Sequence, residues 1–241
     1  MGIPALGWSG AFDDRAVLAQ TSFSQVTSTV VPGLDNGKVA WGDINNDGYL
    51  DFYLGTGDPD FENLMPNLMY LNQNGKGFVD ITMAGGFAHL QKGHAVAFAD
   101  LDNDGDVDVF EQMGGAFYGD EYRDLLFENP GFGNHWVSIK LVGQTTNRAA
   151  IGARIHLRIT ENGASRSIYR FINSGGSFGC NPLRQTIGIG SAKSIDTLEI
   201  YWPVTDRTQV FENVSPDRFI QIVEDRDTLE AVNLKTFKLG G

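Results

Sequence analysis

At 241 residues, with 41% hydrophobic and 11% aromatic content, the chain can bury a sizeable core, which excludes disorder as its default state. A formal net charge of -12, from 30 acidic against 18 basic residues, repels phosphate backbones and anionic bilayers, so neither nucleic acid nor a membrane surface is an expected partner. No apolar run approaches the roughly 18 residues of a membrane helix, so membrane insertion is not expected either.

The first 22 residues read as an N-terminal segment in which no signal peptide is visible, because Met1–Gly10 lacks a basic region followed by an apolar stretch. An internal repeat begins at Phe23. Phe23–Thr27 returns as Phe78–Thr82, Val39–Asp43 as Val96–Asp100, and Asn67–Asn72 as Asp124–Asn129. Each copy, 23–77 and 78–133, reads as strand, acidic loop, strand, variable loop, strand and Gly/Asn turn. That is one blade-sized antiparallel sheet per repeat, and two blades cannot close a propeller ring.

Past Asn134 the pattern changes to longer strands, predicted at Trp136–Leu141, Ala153–Thr160, Ser167–Ile172, Thr197–Trp202 and Arg218–Val223. Ile155, Leu157 and Ile159 alternate with Arg154, His156 and Arg158, the signature of a sheet with one wet face. Residues 134–225 are therefore a second β domain. The tail, 226–241, has weak helical potential around Leu229–Val232. The single cysteine, Cys180, excludes an internal disulfide and is expected to be buried and inert.

The chemistry concentrates in two loops, Asp43–Asp51 and Asp100–Asp108. In both, oxygen-bearing side chains recur at positions 1, 3, 5 and 9, with Gly at position 6. A hard cation such as calcium takes six to eight oxygens at about 2.3–2.6 Å, and a loop turning at Gly gathers alternate side chains around one point. The first site is assigned to Asp43, Asn45, Asp47, Asp51 and the Tyr49 carbonyl. The second is assigned to Asp100, Asp102, Asp104, Asp108 and the Asp106 carbonyl. Two Ca2+ ions are expected, the tighter at the second loop, which offers four carboxylates against three. Good turn chemistry alone would account for either loop, but not for the same four positions twice. Glu111 completes an EF-hand pattern in the second loop, yet the flanks read as strands rather than helices.

These residues resemble the FG-GAP/VCBS repeats of integrin-like propellers and bacterial secreted proteins. Asn147–Arg154, Gly188–Gly190, Tyr201–Pro203 and Phe219–Glu224 resemble the ASPIC/UnbV domain that follows such repeats in proteins similar to cartilage acidic protein. The resemblance implies an all-β chain: two propeller-type blades, forming an incomplete β-propeller, followed by a β-sandwich-like ASPIC/UnbV domain. It also implies an extracellular or cell-surface location and a role in adhesion, matrix or cell-surface interaction, calcium stabilising the blade loops. Other protein chains are the expected partners, including copies of this one, because uncovered sheet edges invite pairing into an oligomer or filament.

No catalytic constellation is apparent. His89, His94, His135 and His156 have no metal spacing, and no nucleophile elbow, P-loop or dinucleotide fingerprint occurs. Two alternatives remain. One is an enzyme or accessory protein of a secondary-metabolite or polysaccharide pathway, for which a pocket joining His94, Glu111 and Gly114 would speak. The other is a glycan-binding module using Phe117, Tyr118 and Tyr122. Arg148, Arg154 and Arg184 are further candidates, since a guanidinium near the Gly-rich run Asn173–Gly179 could bind a carboxylate or the adjacent domain; the family resemblance favours packing.

Overall fold

A computed structural model describes residues 38–57, 65–114, 118–119, 121–176 and 180–239, and all of these belong to one compact unit, Asp35–Gly241. The first strand of the repeat, Phe23–Thr27, lies outside the described residues. The chain is all-β, with four small sheets in a propeller-like arrangement, so the expected two blade-sized sheets give way to four.

The first sheet is an antiparallel meander of β1 (Lys38–Gly42), β2 (Asp51–Gly55), β3 (Leu68–Asn72) and β4 (Phe78–Asp80). The second comprises β5 (Gly93–Ala99), β6 (Asp108–Met113) and β7 (Leu125–Phe127). Sequence repeat and sheet are out of phase by one strand: β4, which opens the second copy, hydrogen-bonds as the outer strand of the first sheet. The two sheets share one core, in which Tyr53 and Met69 of the first meet Val96, Phe98 and Val109 of the second.

Eight further strands follow: β8 (His135–Val142), β9 (Arg154–Glu161), β10 (Ala164–Phe171), β11 (Gln185–Gly190), β12 (Ile195–Trp202), β13 (Arg207–Val214), β14 (Arg218–Val223) and β15 (Leu229–Val232). They form two four-stranded sheets, ordered β10-β9-β12-β13 and β11-β8-β14-β15. Alternation dictates the packing. Ile155, Leu157 and Ile159 of β9 and Leu198, Ile200 and Trp202 of β12 turn inward to meet Val137, Ile139, Ile187, Ile189, Ile220 and Ile222 of the opposite sheet. Burying side chains of this size stabilises the fold by about 1.5–3 kcal/mol each, before the entropy of ordering them is counted.

Two expectations are corrected. Leu229–Val232 is a strand, pairing antiparallel with β14, whose outer edge would otherwise be unpaired. Cys180 is exposed, because it lies in the connection between β10 and β11 rather than on a core-facing strand position. No helix among the described residues is long and apolar enough to cross a membrane.

Candidate metal centre

Both acidic loops join the first two strands of their sheets, β1 to β2 and β5 to β6, and share a backbone design. The position 9 carboxylate locks each loop. Asp51 Oδ2 accepts the Ile44 N–H at 2.9 Å, and Asp108 Oδ2 accepts the Leu101 N–H at 2.9 Å. The other oxygen of each accepts the N–H of an asparagine at or just past the end of the third strand, Asn72 at 2.7 Å and Asn129 at 2.9 Å. Those asparagines donate in turn to the position 8 carbonyls, Leu50 at 3.0 Å and Val107 at 3.0 Å. Asp47 and Asp104 accept the N–H of the residue two ahead, Tyr49 and Asp106. Asn46 and Asn103 sit at φ 55° and 60°, the left-handed region that Asn tolerates, followed two residues later by the positive-φ glycines Gly48 and Gly105.

The loops differ at their centres. In the second, Asp100, Asp102 and Asp104 each present an oxygen within 4.8 Å of the others. Two oxygens bound to one cation are separated by no more than about 5 Å, so this spacing fits a metal ion. Asp100 Oδ2 and Asp102 Oδ1 are buried and accept no hydrogen bond. Such orphaned acceptors cost about 1–3 kcal/mol each, more when charged, unless a cation satisfies them. Burial raises Asp100 to about 6, against the pull of Arg184. Burial, reinforced by Asp104, also raises Asp102. The donor set and its unmet oxygens therefore fit a metal ion. Asp108, with both oxygens on backbone amides, lies outside this group of three, and Asp106 Oδ1 accepts the Asn46 Nδ2–H at 2.7 Å.

The first loop does not bring Asp43, Asp47 and Asp51 into such a group. Asp43 Oδ2 accepts the N–H groups of Gly48 at 3.0 Å and Gly188 at 3.2 Å, and lies 3.4 Å from Arg170 Nη2. Asp47 Oδ2 accepts from Asn45 Nδ2 at 3.0 Å. Tyr49 places its ring under the Arg166 guanidinium, 5.1 Å away. Burial carries Asp43 to about 6 despite Arg170, and Asp51 to about 7 despite its two amide donors.

Arg166 and Arg170 escape a reading of the loops alone. A signal for them exists: on β10 they flank the buried Ile168 at every second residue, so they share its inward face, where a charge needs a partner. Arg184, which the sequence assigns to packing, donates to the Asp100 carbonyl and to Asn103 Oδ1, both at 3.3 Å. Its guanidinium also covers the Phe219 ring, itself packed on Trp136, and an added Cβ at Gly105 would run into that tryptophan. Asn181 bridges the first two sheets, accepting from Phe98 N–H and donating to the Trp41 carbonyl. The tail reaches the second loop, where Phe237 N–H donates to the Asp102 carbonyl and Thr236 Oγ1 to the Asn103 carbonyl.

The other described candidate residues lie apart from the acidic loops. Glu111 is fully buried on β6, where it accepts from Tyr53 Oη at 2.7 Å instead of reaching back to the loop. Phe117 lies outside the described residues, Tyr118 is fully exposed, and Tyr122 leans towards His89. His135 and His156 pair with Asp217 and Glu199. A search of curated proteins returns no match. Residues 143–229 match the family model for ASPIC and UnbV, so the later β domain, whose arginines clasp both acidic loops, is an ASPIC and UnbV domain.

Proposed function

We propose that this chain is an extracellular calcium-binding structural or interaction protein of adhesion or matrix type, in which calcium stabilises the second acidic loop. The observation that carries the reading is the second loop, where three carboxylates converge and two buried oxygens have no protein partner. Calcium suits an all-oxygen donor set on a loop with a left-handed Asn and a Gly turn. The duplicated loop pattern supports identification of the first half with FG-GAP/VCBS repeats. Calcium there neutralises crowded carboxylates, fixes the ends of β5 and β6, and so steadies the surfaces that receive Trp136 and the tail. Its partners are other protein chains, including copies of this one, met through the outer strands of the small sheets.

The test is thermal unfolding of the full chain in chelator, in magnesium and in calcium, with light scattering alongside. Calcium at a hundred times its dissociation constant should add about 2.7 kcal/mol per occupied site, and Asp102→Asn should abolish that gain. A rise in mass with calcium would support self-assembly. An unfolding temperature indifferent to calcium would remove the reading.

A further inference from the structure

We infer that the first acidic loop is a docking key for the ASPIC and UnbV domain, with the Arg170 guanidinium as its counter-charge, and that the chain takes up one divalent cation, at the second loop. The inference rests on reading the second loop as a cation site, and adds that its sequence twin is not one.

The twins have been satisfied by different means. In the first loop, Arg170 comes from β10 with little solvent exposure and lies 3.4 Å from both Asp43 Oδ2 and the Gly48 carbonyl. Arg166 Nη2 donates to the Asp47 carbonyl at 2.6 Å, while its Nε is held by Glu161. Backbone N–H groups of β11 complete the clasp: Gly188 donates to Asp43, and Gly190 donates to the Asn46 carbonyl at 2.9 Å. Both Asp47 oxygens and both Asp51 oxygens accept protein hydrogens, which leaves Asp43 Oδ1 as the one unmet carboxylate oxygen of that loop's three aspartates.

The second loop differs in two ways. Position 3 is a carboxylate, Asp102, where the first loop has Asn45, whose amide donates into its own loop. Its nearby guanidinium, Arg184, goes to a main-chain oxygen and an amide oxygen and forms no ion pair with the aspartates. The first loop thus holds a fixed cation within its fold, and the second retains two orphaned oxygens for a mobile one. A divalent ion entering the first loop would meet the guanidinium's like charge and would have to displace a clasp that joins two domains.

The experiment counts bound calcium by equilibrium dialysis of the chelator-stripped full chain at saturating ion. The wild type should bind one ion, Asp102→Asn none, and Asp47→Asn still one. Arg170→Met, which keeps an apolar stem and frees the loop, should bind two. Should that variant not fold, the wild-type and Asp47→Asn counts decide the matter alone. Two ions in the wild type, loss of the single ion in Asp47→Asn, or a folded Arg170→Met chain still binding one would each overturn the inference. A wild-type count of zero would overturn the calcium reading itself, and this inference with it.

Discussion

Glu111 is a fully buried acid held by a tyrosine hydroxyl, with its second oxygen unpartnered. Burial lifts it from 4.5 to about 7, the Tyr53 hydrogen bond pulling only part of the way back. A raised acid pKa means that the folded state holds a proton that the unfolded state has already released between those values. Its contribution is full below pH 4.5 and is lost as pH rises through 7, amounting to roughly 3 kcal/mol at most. Glu111→Gln should therefore unfold at higher urea than the wild type at pH 8.5 and show little difference at pH 4.5. Equal differences at the two pH values would contradict the assignment. The Tyr53 hydroxyl can donate to the amide oxygen as it does to the carboxyl, so the gain should come without repacking.

At the scale of elements, alternation made β8, β9, β12 and β14 legible from the sequence to within a few residues, because their inner faces are rich in Ile, Leu and Val, and β10 to within three residues around its one buried Ile168. β11 was not legible: Gly188 and Gly190 interrupt its apolar alternation. The structure supplies the reason for the first, since an added Cβ would meet the Asn46 backbone. Backbone cannot yield as a flexible side chain does, so Gly188→Ala should cost about 2–3 kcal/mol in urea unfolding, with no comparable loss for Gly77→Ala, which has open space and no positive φ. The outer strand β13 was obscured by its polar surface, and β15 by its brevity. In the acidic loops, spacing revealed the position 1, 3 and 5 oxygens but not the task of Asp51 and Asp108. Those residues are backbone locks whose partners, Asn72 and Asn129, recur in the same repeat and could have been paired with them. The Arg166–Ile168–Arg170 alternation marked two inward charges in need of partners, but which loop they would meet, and where the tail would lie, was beyond reach, because loop spacing encodes a local turn and says nothing about which distant strand will lie over it.

For the whole molecule, the acidic loops are where sequentially remote parts meet. Strand β10, strand β11, the Arg184 segment and the tail converge on loops made at least 60 residues earlier, as the Asn46 bond to Asp106 already foreshadows between the loops themselves. Removing residues 233–241 should leave the sheets folded but lower calcium affinity roughly tenfold, since the lost hydrogen bonds to Asp102 and Asn103 are worth about 1 kcal/mol each. An unchanged dissociation constant in calorimetric titration would show that the tail merely rests there. Among the described residues, parallel pairing is confined to β8 with β14, Arg218 opposite Val137, in the middle of a sheet whose other pairings are antiparallel. A ribosome making this chain must therefore extend it past residue 223 before β8 gains its neighbour on that side. Until then the strand stands half-dressed beside β11, and the calendar of folding is set by a late-arriving central strand rather than by the early loops.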